Sequence, residues 1–236
     1  MNLIFDYDGT IHNSMKTYAP AFRGTMKWLS DNGYIEHKEY ADSEISCWLG
    51  FNSTDMWGRF HPELAHDIKE KARKMLGEDM ARRLENGEGA LFEGVPEMFA
   101  QLRAKNYRII FLSNCRVHYM ERHKRVFGLD KYFDDFYCCE QYDFIPKYEI
   151  FRKIKPDYTG DFIVIGDRFH DIETATKNGL KSIGCRYGYG SLDELSAADI
   201  IVNSPKEIPN AVEKLIGEQK MLYILVQHFY FIKVRN

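Results

Sequence analysis

The run Asn2-Leu3-Ile4-Phe5-Asp6-Tyr7-Asp8-Gly9-Thr10 decides how the chain folds. A short apolar run that stops at a turn reads as a buried strand, and here it stops at Asp6. Two carboxylates at i and i+2 do not face each other as a helical pair would. In a loop, Asp6 and Asp8 can converge on one cation. Gly9 lets the backbone turn tightly and come close to a ligand.

Outward from that strand the rhythm changes twice. From about Tyr18 to Glu88 apolar residues recur three or four apart, as in Phe22, Met26 and Leu29 and again in Ile68, Ala72, Met75 and Leu76. This predicts a helical stretch, which ends at the turn signal Asn86-Gly87-Glu88-Gly89. After Gly94 helices and short apolar strands alternate. Strands are predicted at 108–112, 135–138, 161–165, 181–185 and 199–202. Helices are predicted at 95–105, 117–127, 147–154, 171–178 and 192–197. Alternation of this kind implies a doubly wound α/β core with a mainly parallel sheet covered on both faces. The expected organisation is a core at 1–15 and 90–216, a helical insert at 16–89 and an apolar tail at 217–236.

Composition narrows the class. The chain has 236 residues, is 44% hydrophobic and 28% charged, and carries a net charge of −3. That is ordinary for a globular protein, and the acidic balance argues against a nucleic-acid surface. Five cysteines without CxxC spacing read as reduced core thiols, and no secretory signal precedes the first strand, so a cytoplasmic location is expected. The apolar run at 221–232 is far short of the ~20 residues a membrane span needs. It is expected to pack as a terminal element or to form a homo-oligomer contact.

The chemistry-bearing groups sit just after predicted strands, where open α/β sheets bind ligands. The Asp6 carboxylate can attack phosphorus, and Asp8 can serve as acid and then base. Ser113-Asn114 follows the strand at 108–112, where a hydroxyl and a backbone N–H can bond phosphoryl oxygens. Lys147 opens a predicted helix after Pro146 and suits a phosphate or the charge of Asp6, with Lys153 and Lys155 as rivals. Asp167 ends the strand at 161–165, and Asp171 lies one turn into the next helix. Asp6, Asp8 and Asp167 together offer the oxygen-only donor set that Mg²⁺ prefers. Each of these motifs alone also fits ordinary turn chemistry; the order of all of them is what points to a site.

These features in this order resemble the haloacid dehalogenase-like phosphatases, phosphoglycolate-phosphatase-like members with a helical cap in particular. The resemblance covers 1–15 and 90–216 and implies a Rossmann-like core. It implies that Asp6 is the nucleophile and that Asp8 is the acid/base, with its backbone carbonyl on the metal. Thr10, with Gly9 and Asn114, supports or contacts substrate, and Ser113 and Lys147 assist. By the same resemblance Asp167 binds Mg²⁺ and Asp171 supports or joins that sphere. The expected activity is Mg²⁺-dependent hydrolysis of a small phosphorylated metabolite through an aspartyl-phosphate. A sugar-phosphate mutase or a non-catalytic binder are the alternatives. Two departures stand out: His12-Asn13-Ser14 replaces the more usual Leu-x-Asp-Ser, and Arg168 stands where many relatives have Ser or Thr. Arg168 is a candidate to contact substrate or pair with an acid, and His170, inside the last acidic motif, is a candidate to tune the site. Asn52, Ser53, Thr54 and Arg59 are candidates to read the leaving group. Trp28, Trp48, Trp57 and Phe60 read as packing of the insert.

Overall fold

The computed structural model describes residues 1–218 and Met221. Six strands, β1 (Asn2–Phe5), β2 (Arg108–Ser113), β3 (Asp135–Cys138), β4 (Phe162–Gly166), β5 (Lys181–Cys185) and β6 (Ile200–Val202), form one sheet in the order β3-β2-β1-β4-β5-β6. Every pairing is parallel. The chain thus winds outward from β1 in one direction and then returns to lay β4 on its other side. The place where the order reverses lies between β1 and β4, and ligands bind beyond the carboxyl ends of strands at such a point.

The strands read as continuous apolar runs because both faces are covered. Successive residues point to opposite faces. Leu3, Phe5, Ile109, Phe111, Ile163 and Ile165 enter one buried cluster. Ile4, Ile110, Leu112 and Val164 enter another. The first cluster is completed by α5 (Val95–Ala104), α6 (Val117–Phe127) and a final helix at 208–218. The second is completed by α7 (Lys147–Ile154) and α8 (Phe169–Thr176).

Between β1 and α5 the chain makes four helices: α1 (Met15–Asp31), α2 (Asp42–Ser46), α3 (Ser53–Phe60) and α4 (His66–Glu85). They bury a core of their own, in which Phe22, Met26 and Leu29 of α1 meet Ile68, Ala72 and Leu76 of α4. Those are the residues whose helical spacing marks the insert in the sequence. The two connections to the sheet run side by side: Asn13 N–H donates to the Ala90 carbonyl and Phe92 N–H to the Ile11 carbonyl, each at 2.9 Å.

Two differences from expectation bear on the core. Helix α8 starts at Phe169 rather than 171, because the Asp171 carboxylate accepts from the Arg168 N–H at 3.1 Å and caps the helix there. The helix at 208–218 has no counterpart in the sequence reading. The apolar run at 221–232 lies outside the described residues except for Met221. Among the described residues no helix is long and apolar enough to cross a membrane, and all five cysteines are free thiols.

Candidate active site

The carboxyl ends of β1 and β4 bring Asp6, Asp167 and Asp171 together. One oxygen from each lies within 4.8 Å of the others, and all three residues are buried. Strand β1 places Asp6, whose N–H donates to the Ile165 carbonyl of β4 at 2.9 Å. Lys147, at the first turn of α7, reaches across with its ammonium 2.6 Å from Asp6 Oδ1 and 2.8 Å from Asp171 Oδ1. Lys147 itself is 5% exposed, so this ion pair works in a region from which water is largely removed. Ser113 is buried at the end of β2 and lines the same cleft as Asp6 and Asp8.

Gly9 and Thr10 act on Asp167. Gly9 has a φ of 91°, and a Cβ there would lie 2.2 Å from Asp167 Oδ2. Only glycine tolerates both the dihedral and the approach. The Thr10 hydroxyl donates to Asp167 Oδ1 at 3.3 Å, and the Tyr189 N–H donates to Oδ2 at 2.7 Å. The structure therefore turns both residues toward the Asp167 carboxylate. Asn114 is also otherwise engaged: its side-chain amide donates to the Gly50 carbonyl of the insert at 2.9 Å.

Charge in this cluster is unbalanced, with three carboxylates facing one ammonium. Burial pushes the Asp6 carboxyl up to about 7; Lys147 opposes the shift and Asp171 adds to it. Burial, reinforced by Asp6 and Asp171, also raises Asp167 well above the usual carboxylate range. For Lys147 burial works toward deprotonation, but Asp171 and Asp6 outweigh it and hold the ammonium charged. Surplus negative charge on hard oxygen donors is the environment that suits Mg²⁺, so the residues present fit that ion.

Asp8 faces the cleft from a separate polar network. Its Oδ1 accepts from the Ser14 hydroxyl at 2.5 Å and the Tyr119 hydroxyl at 2.6 Å, and it lies 3.0 Å from His12 Nδ1. Burial alone would raise Asp8, yet the hydrogen bonds from His12 and Ser14 lower it. Behind it, Tyr7 OH lies 2.9 Å from His123 Nδ1, and the His12 and His123 rings meet at 4.7 Å. Burial holds His123 well below the usual histidine range and therefore neutral. Three groups pin Oδ1, and among the described residues no hydrogen bond reaches Oδ2. That oxygen is left to meet a reacting group.

The profile of haloacid dehalogenase-like hydrolases matches residues 3–185, which carry every strand from β1 to β5. The chain belongs to this family. Among relatives of this haloacid dehalogenase-like hydrolase, the Clostridium perfringens protein named "Putative pyrophosphatase PpaX" is 26% identical over 228 residues, covering 90% of this chain and 97% of that one. A 5'-nucleotidase of Pseudomonas aeruginosa is 26% identical over 208 residues, covering 83% and 87%. The crystal structure of a "predicted phosphoglycolate phosphatase" from Haemophilus somnus superposes with a TM-score of 0.77 at 20% identity, covering 89% of this chain and 97% of the other. That last likeness concerns the fold.

Where this hydrolase departs from the common pattern, the structure shows what the unusual residues touch. Arg168 is buried and donates through Nε to Glu194 at 2.8 Å. It also donates through Nη1 to the carbonyls of Cys47 and Leu49. With Asn114 on Gly50, it clamps the segment 47–50 of the insert onto the core. His170 packs against Phe51 and Phe169. Of the insert residues, Asn52, Trp48 and Trp57 line the cleft, and Arg59 lies over the Phe51 ring at 5.3 Å. Trp28 packs against Tyr34 instead, with the rings tilted by 45°.

The raised Asp6 carboxyl has a consequence for stability. A carboxyl that binds its proton more tightly in the folded chain contributes stability that is lost as pH rises from its unfolded value through its folded one. With metal chelated, the hydrolase is expected to lose stability between about pH 4 and 7 through Asp6, by up to ~4 kcal/mol at ~1.4 kcal/mol per pH unit. Denaturant melts of wild type and Asp6→Asn across this range, in chelator and in Mg²⁺, check it. The substitution and the metal should each flatten the slope; a wild-type slope that neither changes would contradict the charge imbalance described above.

Proposed function

We propose that this enzyme is a Mg²⁺-dependent phosphatase that hydrolyses a small phosphorylated metabolite through an aspartyl-phosphate on Asp6. The observation that carries this reading is the convergence of Asp6, Asp167 and Asp171 around Lys147, at the point where the strand order reverses. Asp6 attacks phosphorus, the bond to the leaving oxygen breaks, and Asp8 gives that oxygen a proton. Water then attacks the phosphorus of the acyl phosphate, Asp8 takes its proton, and the bond to Asp6 breaks to release phosphate. Asp8 enters the first step protonated and regains that proton from water in the second; the hydrogen bonds that lower it stabilise the ionised form it takes between the steps.

Lys147 keeps Asp6 oriented and offsets part of its charge, while the Ser113 hydroxyl is placed to bond a phosphoryl oxygen. Mg²⁺ held by Asp6, Asp167 and the Asp8 carbonyl, with Asp171 in support, would neutralise phosphoryl charge and let an anion approach these carboxylates. In this reading the insert acts as a cap: the clamps from Arg168 and Asn114 hold 47–50 over the site and limit entry of water. The names of the relatives point to pyrophosphate in one case and to 5'-nucleotides in another, so kinship leaves the substrate open.

Phosphate release from a panel of phosphate esters, with Mg²⁺ and after chelation, tests the proposal. Activity should require the metal. Asp8→Asn should slow esters of poorly leaving alkyl alcohols by about 10²–10⁴-fold. Read as kcat/KM, which excludes the later hydrolysis of the common phosphoenzyme, p-nitrophenyl phosphate should lose far less, because that leaving group needs no proton. Metal-independent release, or equal losses for both ester types, would refute the assigned roles.

A further inference from the structure

Beyond the carboxylates, the active-site cleft changes character. Its phosphate end is set by Asp6, Asp8 and Ser113, and the space beyond is walled by Trp48, Phe51 and Trp57 of the insert and Phe144 of the core. Leu76 and Met80 of α4 continue the apolar lining. With phosphate anchored at one end, whatever occupies this space is the alcohol part of the ester.

The cations on the wall already have partners. Arg73 donates to both carboxylate oxygens of Glu70, and Arg116 donates through Nη1 to Glu140 at 3.2 Å. A leaving group with its own negative charge, such as the carboxylate of phosphoglycolate or the second phosphate of pyrophosphate, would meet no unpaired cation among these residues. Arg116 Nε is buried without a hydrogen-bond partner among the described residues, so a single neutral acceptor on the leaving group has a donor waiting.

Size and backbone strain point the same way. The whole cleft, its phosphate end included, measures about 180 Å³. An apolar cavity of ~150 Å³ takes up one benzene ring, so the part beyond the phosphate admits at most a single ring. Phe144 is held with a φ of 59°, directly after Asp143 at 54°. A left-handed backbone is strained for a bulky side chain, and glycine would adopt it freely. The Phe144 N–H bond to the Cys139 carbonyl at 2.9 Å fixes that geometry, and the Arg116 guanidinium lies 5.3 Å from the ring. The chain thus carries an aromatic ring at the cleft wall at a position that local conformation would give to glycine.

We infer that the alcohol released by this enzyme carries one planar aromatic or heteroaromatic ring, seated against Trp48, Phe51, Trp57 and Phe144. This deepens, and rests on, the phosphatase reading above. The test compares kcat/KM for benzyl phosphate, ethyl phosphate, phosphoglycolate and pyrophosphate in the Mg²⁺-loaded enzyme. Burial of one ring predicts benzyl phosphate ahead of each compact substrate by about 30-fold. Phe144→Gly removes one wall while relieving the backbone, so it should be at least as stable as wild type. Its benzyl-to-ethyl ratio should nevertheless fall about fivefold, as should that of Trp48→Leu. Compact substrates matching or exceeding benzyl phosphate would overturn the inference and leave the phosphatase reading standing, as would an unchanged ratio in both variants. No release from any ester, p-nitrophenyl phosphate included, would bring down both.

Discussion

Asp6→Asn is expected to lower phosphate release on the order of 10⁴-fold or more, because an amide of the same shape cannot form the phosphoenzyme. The loss should come without loss of fold. Lys147 keeps its 2.8 Å contact with Asp171 in that variant, and one buried carboxylate that raises the charge imbalance is gone. In chelator at pH 8 the variant should therefore melt no lower than wild type. Phosphate release and melting on the same preparation separate the two effects. Undiminished turnover in Asp6→Asn would remove Asp6 from the mechanism.

Lys147→Met is expected to act on stability first. The ammonium contacts two buried carboxylates, and removing one partner from a buried ion pair destabilises by about 3–5 kcal/mol. Its sign with pH follows from the shifts. Lys147 is held protonated well above neutrality, so its contribution persists through the acid and neutral range. Without it, the carboxylates can escape repulsion only by taking up protons, which becomes harder as pH rises. The deficit relative to wild type should therefore grow from pH 5 to pH 8 in chelator and shrink when Mg²⁺ is added. Activity should fall as well, by about 10²–10³-fold, through loss of charge placed beside Asp6. Urea melts of both proteins at the two pH values measure this; a pH-independent deficit below about 1 kcal/mol, less than a third of that range, would show that Lys147 is a bystander.

Much of the core was legible because its signals are local. The apolar runs Asn2–Phe5 and Phe162–Gly166 end on carboxylates, and that alone places Asp6 and Asp167 at neighbouring strand ends once the sheet is parallel. Lys147 was legible as a cation at a helix start, but its choice over Lys153 or Lys155 is made by three-dimensional reach. The final helix was missed although Ile208, Ala211, Val212 and Leu215 carry helical spacing and are buried in the core.

The groups that orient Asp8 were hidden for a different reason. Ser14 and His12 are near in sequence, yet Tyr119 is 111 residues away on α6, and only the fold brings it to the same oxygen. What sequence did offer was the oddity at His12 and at Arg168, and both prove to be buried contacts, one on Asp8 and one between core and insert. Phe144 gave no signal at all, since a left-handed phenylalanine looks like any other until its backbone is seen.

The central claim is that phosphate passes through a covalent bond to Asp6. Enzyme turning over substrate with Mg²⁺ can be quenched in acid and treated with borohydride, which reduces an acyl phosphate to an alcohol, and the product located by peptide mass spectrometry. Homoserine at position 6 and an unmodified Asp8 are expected. Modification at Asp8, or an intact Asp6 in enzyme caught during active turnover, would contradict it.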